Sequence, residues 1–289
     1  MAGVLIVGCG DIGRRVARLY RARGEAVSGT ARRPERAAEL AAEGIAPLLA
    51  DLDEPASLVE LPTADALVFY LAPPPAGGVV DPRMTAFLSG PATARPPSRI
   101  VYVSTSAVYG DCGGAWVTEE RPPAPSTDRG RRRLAAETAL LEWQDAAGIP
   151  VVILRVPGIY GAGRLPVRRL QEGLPVLRAE DSPYTNRIHA DDLAAVCVAA
   201  AERGQPGAAY NVSDGHPSTM TDYFNRIADL LELPRPPAVD MAEARRVLSP
   251  GMLSFLQDSR RLDNRRMFEE LGVTLRYPDL EAGLRACRP

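Results

Sequence analysis

Val4-Leu5-Ile6-Val7-Gly8-Cys9-Gly10-Asp11-Ile12-Gly13 stands almost at the start of the chain, and its reading decides the fold. Four apolar residues in a row suit a strand buried on both faces, and Gly8-x-Gly10-x-x-Gly13 turns that strand into a helix with Ile12, Val16 and Leu19 on one face. Each glycine has its own task in such a turn. Gly8 permits the tight bend, Gly10 lets the backbone approach a pyrophosphate, and Gly13 brings helix and strand together. The start of the helix, Asp11 and Ile12 included, then offers unpaired N–H groups to the phosphates of a dinucleotide.

Outward from this unit, short apolar runs alternate with helical stretches. Residues 26–29, 46–49, 66–70, 100–103 and 151–155 are expected as strands. Residues 34–43 and 131–147 are expected as helices, the second ended by Gly148 and Pro150. This alternation predicts an α/β fold, a Rossmann-type doubly wound parallel sheet covered on both faces. The last third differs. Residues 165–183 are broken by arginine and proline, 234–237 look like a linker, and 220–233 form a helix begun by Thr219 with Asp222 three residues on. With short helices at 267–271 and 280–284, this part is expected to be a smaller C-terminal substrate lobe. The boundaries are then 1–163 plus 187–215 for the dinucleotide domain, and 164–186 plus 216–289 for the lobe.

The second strand ends in Gly29-Thr30-Ala31-Arg32-Arg33, where the adenosine ribose should lie. An NAD site usually offers a carboxylate there; this chain offers a hydroxyl and two guanidiniums. They suit a 2′-phosphate, so the expected cofactor is NADP rather than NAD. The alternative is that Arg32 and Arg33 are surface arginines in a chain that has no lysine at all, its 34 basic residues all being arginine. Asp51 and Leu52, at the end of the third strand, are placed beside the adenine. Tyr70, Leu71 and Ala72 are placed along the path from the fourth strand.

Composition removes several classes of function. A net charge of -2 gives no field for nucleic acid or an anionic membrane, and no apolar run approaches the ~18 residues of a bilayer span. Four scattered cysteines and two histidines show no metal-ligand spacing, so no metal is expected and the thiols fit a reducing, cytoplasmic setting. The absence of lysine rules out Schiff-base chemistry on that residue. The partner expected is a small-molecule substrate, bound by a monomer or homodimer.

Several segments in order carry a resemblance. They are Gly8/Gly10/Gly13, Asp51-Leu52, Val101-Tyr102-Val103-Ser104-Thr105-Ser106-Ala107-Val108-Tyr109-Gly110, Leu154-Arg155-Val156-Pro157-Gly158-Ile159-Tyr160-Gly161, Ile188-His189-Ala190-Asp191-Asp192-Leu193 and Tyr210-Asn211-Val212. Together they resemble the extended short-chain dehydrogenase/reductases, the NAD-dependent epimerase/dehydratase superfamily. The resemblance implies that Thr105 hydrogen-bonds a substrate oxygen and that Pro157 borders the cofactor. It also implies a Tyr-x-x-x-Lys pair for proton transfer and ribose binding. Aligning Leu134-Ala135-Ala136-Glu137 with the family's helix puts Arg129 at the tyrosine and Arg133 at the lysine. The chain is thus similar to atypical members that lack the pair.

Arg133 can keep a cationic ribose contact. Arg129 cannot replace a phenol, because a guanidinium is neither acid nor base at working pH, though it can polarise a carbonyl or hold a carboxylate. Tyr184 is the freest remaining proton donor. Tyr109 and Tyr160 are expected to pack at the cleft wall, His189 to fix a helix start, Asp191 and Asp192 to be first-turn acids, and His216 to sit in a surface turn. The family's diphosphate-binding arginine is replaced by Thr185, with Arg187 two places on; Arg164, Arg168, Arg169 and Arg178 are alternative anchors for an anion. Two functions follow: an NADP-dependent oxidoreductase or epimerase-like enzyme on an anionic or sugar-like substrate, or a non-catalytic NADP(H) sensor.

Overall fold

The computed structural model describes residues 3–287. Seven strands form one parallel sheet: β1 Val4–Val7, β2 Val27–Ala31, β3 Ala46–Leu49, β4 Leu67–Tyr70, β5 Arg99–Thr105, β6 Val151–Val156 and β7 Ala209–Asn211. Their spatial order is β3-β2-β1-β4-β5-β6-β7, so the order reverses between β1 and β4. That crevice is where a doubly wound sheet binds its ligand.

Strand alternation sends successive side chains to opposite faces. Val4 and Ile6 of β1 join a core with Val16, Ala17 and Tyr20 of helix α1 (Asp11–Arg21) and Leu40 of α2 (Pro34–Ala42). Leu5 and Val7 face the other way, towards Met84 and Phe87 of α3 (Pro82–Phe87) and Ala136 and Leu140 of α4 (Asp128–Ala147). Helix α5 (Ala190–Arg203) covers the first face, burying Leu193, Val196 and Cys197. Sheet and helices therefore follow the expected α/β plan. Helix α4 begins three residues earlier than its apolar pattern suggests, because Thr127 caps it by accepting from the Gly130 N–H at 3.2 Å.

Beyond the sheet, the chain forms two-residue ladders and short helices: α6 (Met220–Leu230), α7 (Met241–Val247), α8 (Pro250–Leu256), α9 (Arg265–Leu271) and α10 (Leu280–Arg285). Tyr160, Leu170, Phe224, Ile227, Leu280 and Leu284 make the lobe's own core. The sequence boundary needs one correction. Met267 and Leu271 of α9 join the sheet's core beside α5, so this segment packs on the dinucleotide domain rather than in the lobe. Residues 234–237 lead straight into Ala238–Val239, which pairs with Val176–Leu177 inside the lobe, so they connect elements of one unit. No helix among the described residues is long and apolar enough to cross a membrane.

Candidate functional site

Two cavities lie along the C-terminal edge of the sheet, the first across the crevice and the second beyond it towards the lobe. The first, about 510 Å³, is bordered by Gly8, Gly10, Asp11, Thr30, Arg32, Arg33, Asp51, Leu52, Leu71 and Ala72. These segments come from β1 to β4, and each of these residues is one the sequence points to.

The glycine turn is shaped by close approach. Gly8 has φ +83°, and a Cβ there would stand 2.6 Å from the backbone of Ala72. A Cβ on Gly13 would meet Ile6 at 2.9 Å, whereas one on Gly10 would meet nothing within 4 Å. Gly8 and Gly13 are therefore required by the protein's own packing, and Gly10 leaves space open in front of α1. No side chain caps α1, so its first amides point unpaired into that space. The Thr30 hydroxyl accepts from the Gly8 N–H at 2.8 Å, which ties β2 to the turn.

Five arginines border this cavity. Arg14 pairs with Glu43, Arg36 with Glu39, and Arg83 holds Asp53 in a two-pronged contact at 2.7 and 2.5 Å. Among the described residues no carboxylate pairs with Arg32 or Arg33. Asp11 accepts from Arg15 at 3.0 Å and from Arg164 at 2.8 Å; burial raises its pKa, but the two guanidiniums outweigh this and hold it below the usual range. Arg164 thereby ties the lobe side to the first turn of α1.

Three expected cofactor neighbours are placed elsewhere. Tyr70 is fully buried in the second core, against Phe87 and Tyr102, because its position in β4 faces α3 and α4 rather than the crevice. Ile12 packs against the first core. Pro157 borders the second cavity instead of the first.

The second cavity, about 290 Å³, is formed where β5 and β6 end and the lobe begins. It brings together Thr105, Arg129, Pro157 and Tyr184, which are far apart in sequence. The Thr105 hydroxyl accepts from the Ala107 N–H at 3.3 Å and caps a short 3-10 turn, leaving its own proton to donate. Arg129 lies in the first turn of α4 with its guanidinium 4.1 Å from the Phe255 ring. Desolvation, then Arg260 and Arg133, lower its pKa from the usual arginine range. Tyr184 is 40% exposed, and its ring faces Arg261 at 4.9 Å.

Arg133 borders neither cavity. It donates to the Tyr102 hydroxyl at 3.1 Å and the Val103 carbonyl at 3.0 Å, clamping α4 to β5. One turn later, Glu137 is buried and receives Arg155 Nη2 at 2.8 Å and the Ser104 hydroxyl. Arg155 also donates to the Tyr109 hydroxyl at 2.9 Å, which donates to Asn211 Oδ1 at 2.8 Å. With its hydroxyl engaged and its pKa pushed by burial up to about 12, Tyr109 is a structural residue. Tyr160 is likewise buried, donating to the Asp279 carbonyl at 3.2 Å, with its pKa raised by desolvation.

His189 caps α5, its Nδ1 accepting from the Asp191 N–H at 3.2 Å, and stacks 3.9 Å from the Tyr277 ring. Burial lowers its pKa, which favours the neutral ring. Asp191 pairs with Arg15; Asp192 accepts from the Arg276 and Tyr277 N–H groups. His216 is exposed, in a turn closed by Asp214.

The four arginines expected to hold an anion do not border the second cavity. Arg164 pairs with Asp11, Arg168 with Glu172, Arg169 donates to the Pro175 carbonyl at 2.5 Å, and Arg178 lies 3.8 Å from Asp240. Arg187 and Arg260 border it instead, beside Met252, Phe255 and Asp258. Neither Arg260 nor Asp258 had a local sequence signal. They arrive because Arg261–Leu262 pairs in parallel with Trp116–Val117, stitching the lobe to the loop after β5.

With both cavities placed, the chain matches the NAD dependent epimerase/dehydratase family over residues 4–213. It belongs to that family. Among curated relatives, protein YeeZ of Escherichia coli K12 is 29% identical over 96% of this chain and 97% of its own length. The uncharacterized protein y4nG of Sinorhizobium fredii is 31% identical, but the match spans 62% of this chain and only 50% of that protein. Among solved structures, a conserved Silicibacter pomeroyi protein of unknown function superposes with a TM-score of 0.84 at 36% identity, covering 99% of this chain and 98% of that one. The UDP-glucose 4-epimerase of Thermotoga maritima, solved with UDP-glucose, gives a TM-score of 0.80 at 17% identity, covering 99% and 97%, and so shares the fold.

Proposed function

We propose that this family member is an NADP-dependent oxidoreductase or epimerase-like enzyme acting on an anionic or sugar-like small molecule. The observation that supports the cofactor is the pair Arg32 and Arg33, without carboxylate partners, beside the cavity that the glycine turn opens. Gly8, Gly10, Gly13 and the uncapped start of α1 suit a pyrophosphate; Thr30, Arg32 and Arg33 suit the 2′-phosphate; Asp51, Leu52, Leu71 and Ala72 suit the adenosine and its path. A nicotinamide cofactor held there supplies two-electron redox chemistry at its ring.

The chain's own residues then divide the work. Thr105 donates its free proton to a substrate oxygen. Arg129, a permanent cation, polarises that oxygen or holds an acidic group but moves no proton. Tyr184 takes the proton-donor role that position 129 cannot fill. Arg133 acts indirectly, by fixing α4 against β5. Isothermal calorimetry on the full chain tests the cofactor: NADPH is expected to bind well ahead of NADH, and Arg32→Ala with Arg33→Ala to erase the difference. Equal affinities in the unmodified protein would sink the NADP reading.

A second reading, a non-catalytic NADP(H) sensor, is favoured by one observation: the second cavity is bordered by Arg129, the residue that alignment of its helix sets at the family's phenol position. It predicts tight NADPH binding with no turnover of any carbonyl or sugar-nucleotide substrate. Turnover that Thr105→Ala reduces decides for the enzyme.

A further inference from the structure

Arg187 is 7% exposed, in a ladder that pairs it with Gly158. A Cβ on Gly158 would stand 2.7 Å from Arg187 Nη1, so the missing side chain makes room for the guanidinium. The Tyr223 ring faces it at 4.2 Å. Nη1 donates to the Asn186 carbonyl at 2.8 Å, Nη2 to the Met220 sulfur at 3.4 Å, and the buried Nε has no partner. No carboxylate pairs with Arg187 among the described residues. The neighbouring acid, Asp214, accepts from the His216 N–H, and burial lifts its pKa to about 6. Asp214 acts on the guanidinium through space without hydrogen-bonding it, and a buried cation that keeps an unsatisfied donor is costly until an anion completes it.

The cavity that Arg187 borders has the matching field. Arg129 and Arg260 also border it, and the one carboxylate, Asp258, is engaged by the Ser126 hydroxyl at 2.7 Å and Arg260 at 3.2 Å. Its volume of about 290 Å³ lies at the small end of ligand sites, which run ~300–1,000 Å³. That leaves little room for a nucleoside diphosphate, and Thr185 replaces the arginine expected to grip one.

We propose that Arg187 anchors the oxyanion of a small substrate, a carboxylate or phosphate monoester of few carbons, with Arg129 and Arg260 completing the positive field. This rests on the second cavity being the substrate site of the reading above, but the anion site is tested without cofactor. Calorimetry or thermal shift on the full chain would use succinate, glycerol 3-phosphate, UDP-glucose and glycerol, with chloride matching the ionic strength. Saturable binding of succinate or glycerol 3-phosphate is expected, and which one binds identifies carboxylate or phosphate as the group. Arg187→Met should weaken it about tenfold or more, and Arg129→Gln several-fold. Arg129 is exposed and makes no hydrogen bond among the described residues, so its variant decides if Arg187→Met fails to fold. Binding of neither anion, anion binding unchanged in the variants, or preference for UDP-glucose overturns the proposal. NADPH titrated separately keeps the two claims apart: anion binding without NADPH binding removes the enzyme reading alone, and the reverse removes the anion site alone.

Discussion

The two cavities lie along one sheet edge but are made in different ways. The first is built by what is missing: Gly8 and Gly13 admit neighbouring atoms that a Cβ would strike, and Gly10 leaves open space before α1. The second is built by side chains from remote segments, Thr105, Arg129, Arg187 and Arg260, held in place by a buried polar network and a lobe ladder. A site made of local backbone geometry is sensitive to added atoms. A site made by convergence is sensitive to lost partners.

The sharpest way to break the second region is through its support. Arg155→Met should leave Glu137 buried without its cation and cost about 3–5 kcal/mol in urea unfolding. A loss below ~1 kcal/mol would mean the Ser104 and Tyr109 contacts suffice. In the first region, Gly8→Ala adds a Cβ at positive φ against Ala72 and should destabilise by about 2–4 kcal/mol. Gly10→Ala should leave thermal stability within ~0.5 kcal/mol while weakening NADPH binding. Equal destabilisation by the two would contradict the division between packing and ligand glycines.

Asp214 supplies a pH test. Its folded pKa of about 6 lies above the ordinary aspartate value, so the folded state holds that proton more tightly. The stability it contributes is full below the unfolded pKa near ~3.9 and is lost as pH rises through the folded one, on the order of 2–3 kcal/mol. Asp214→Asn should flatten that part of the stability-versus-pH curve, and an unchanged slope would assign the titration elsewhere. The smallest stability effect belongs to Arg32→Ala with Arg33→Ala: with no ion pair to lose among the described residues, the change should stay within ~0.5 kcal/mol even as the NADPH preference goes.

What was legible in the sequence follows the same division. Val4–Val7 and Ala46–Leu49 were recovered to the residue, and the glycine turn was placed with its strand and helix, because their signals lie within a few neighbouring residues. Tyr70 was misplaced because a buried parallel strand is apolar on both faces, and only α3 and α4 show which face it takes. Arg129 borders the second cavity from the first turn of α4, and one face of the same helix carries Glu137 to Arg155. Arg187 was noted only as a displaced residue, and Arg260 was missed. Their roles depend on Gly158 leaving room and on Arg261–Leu262 pairing with Trp116–Val117, contacts between segments far apart in the chain.

By itself, then, the sequence determined the parallel sheet and the glycine turn that joins its first strand to α1, both governed by local geometry and residue chemistry. Only the tertiary structure decided which arginines share the second cavity, that α9 packs on the sheet, and that Arg187 is buried with no carboxylate in ion-pair contact among the described residues. Burial and charge compensation are set by whatever the fold brings alongside a residue, and no local pattern in the chain records that.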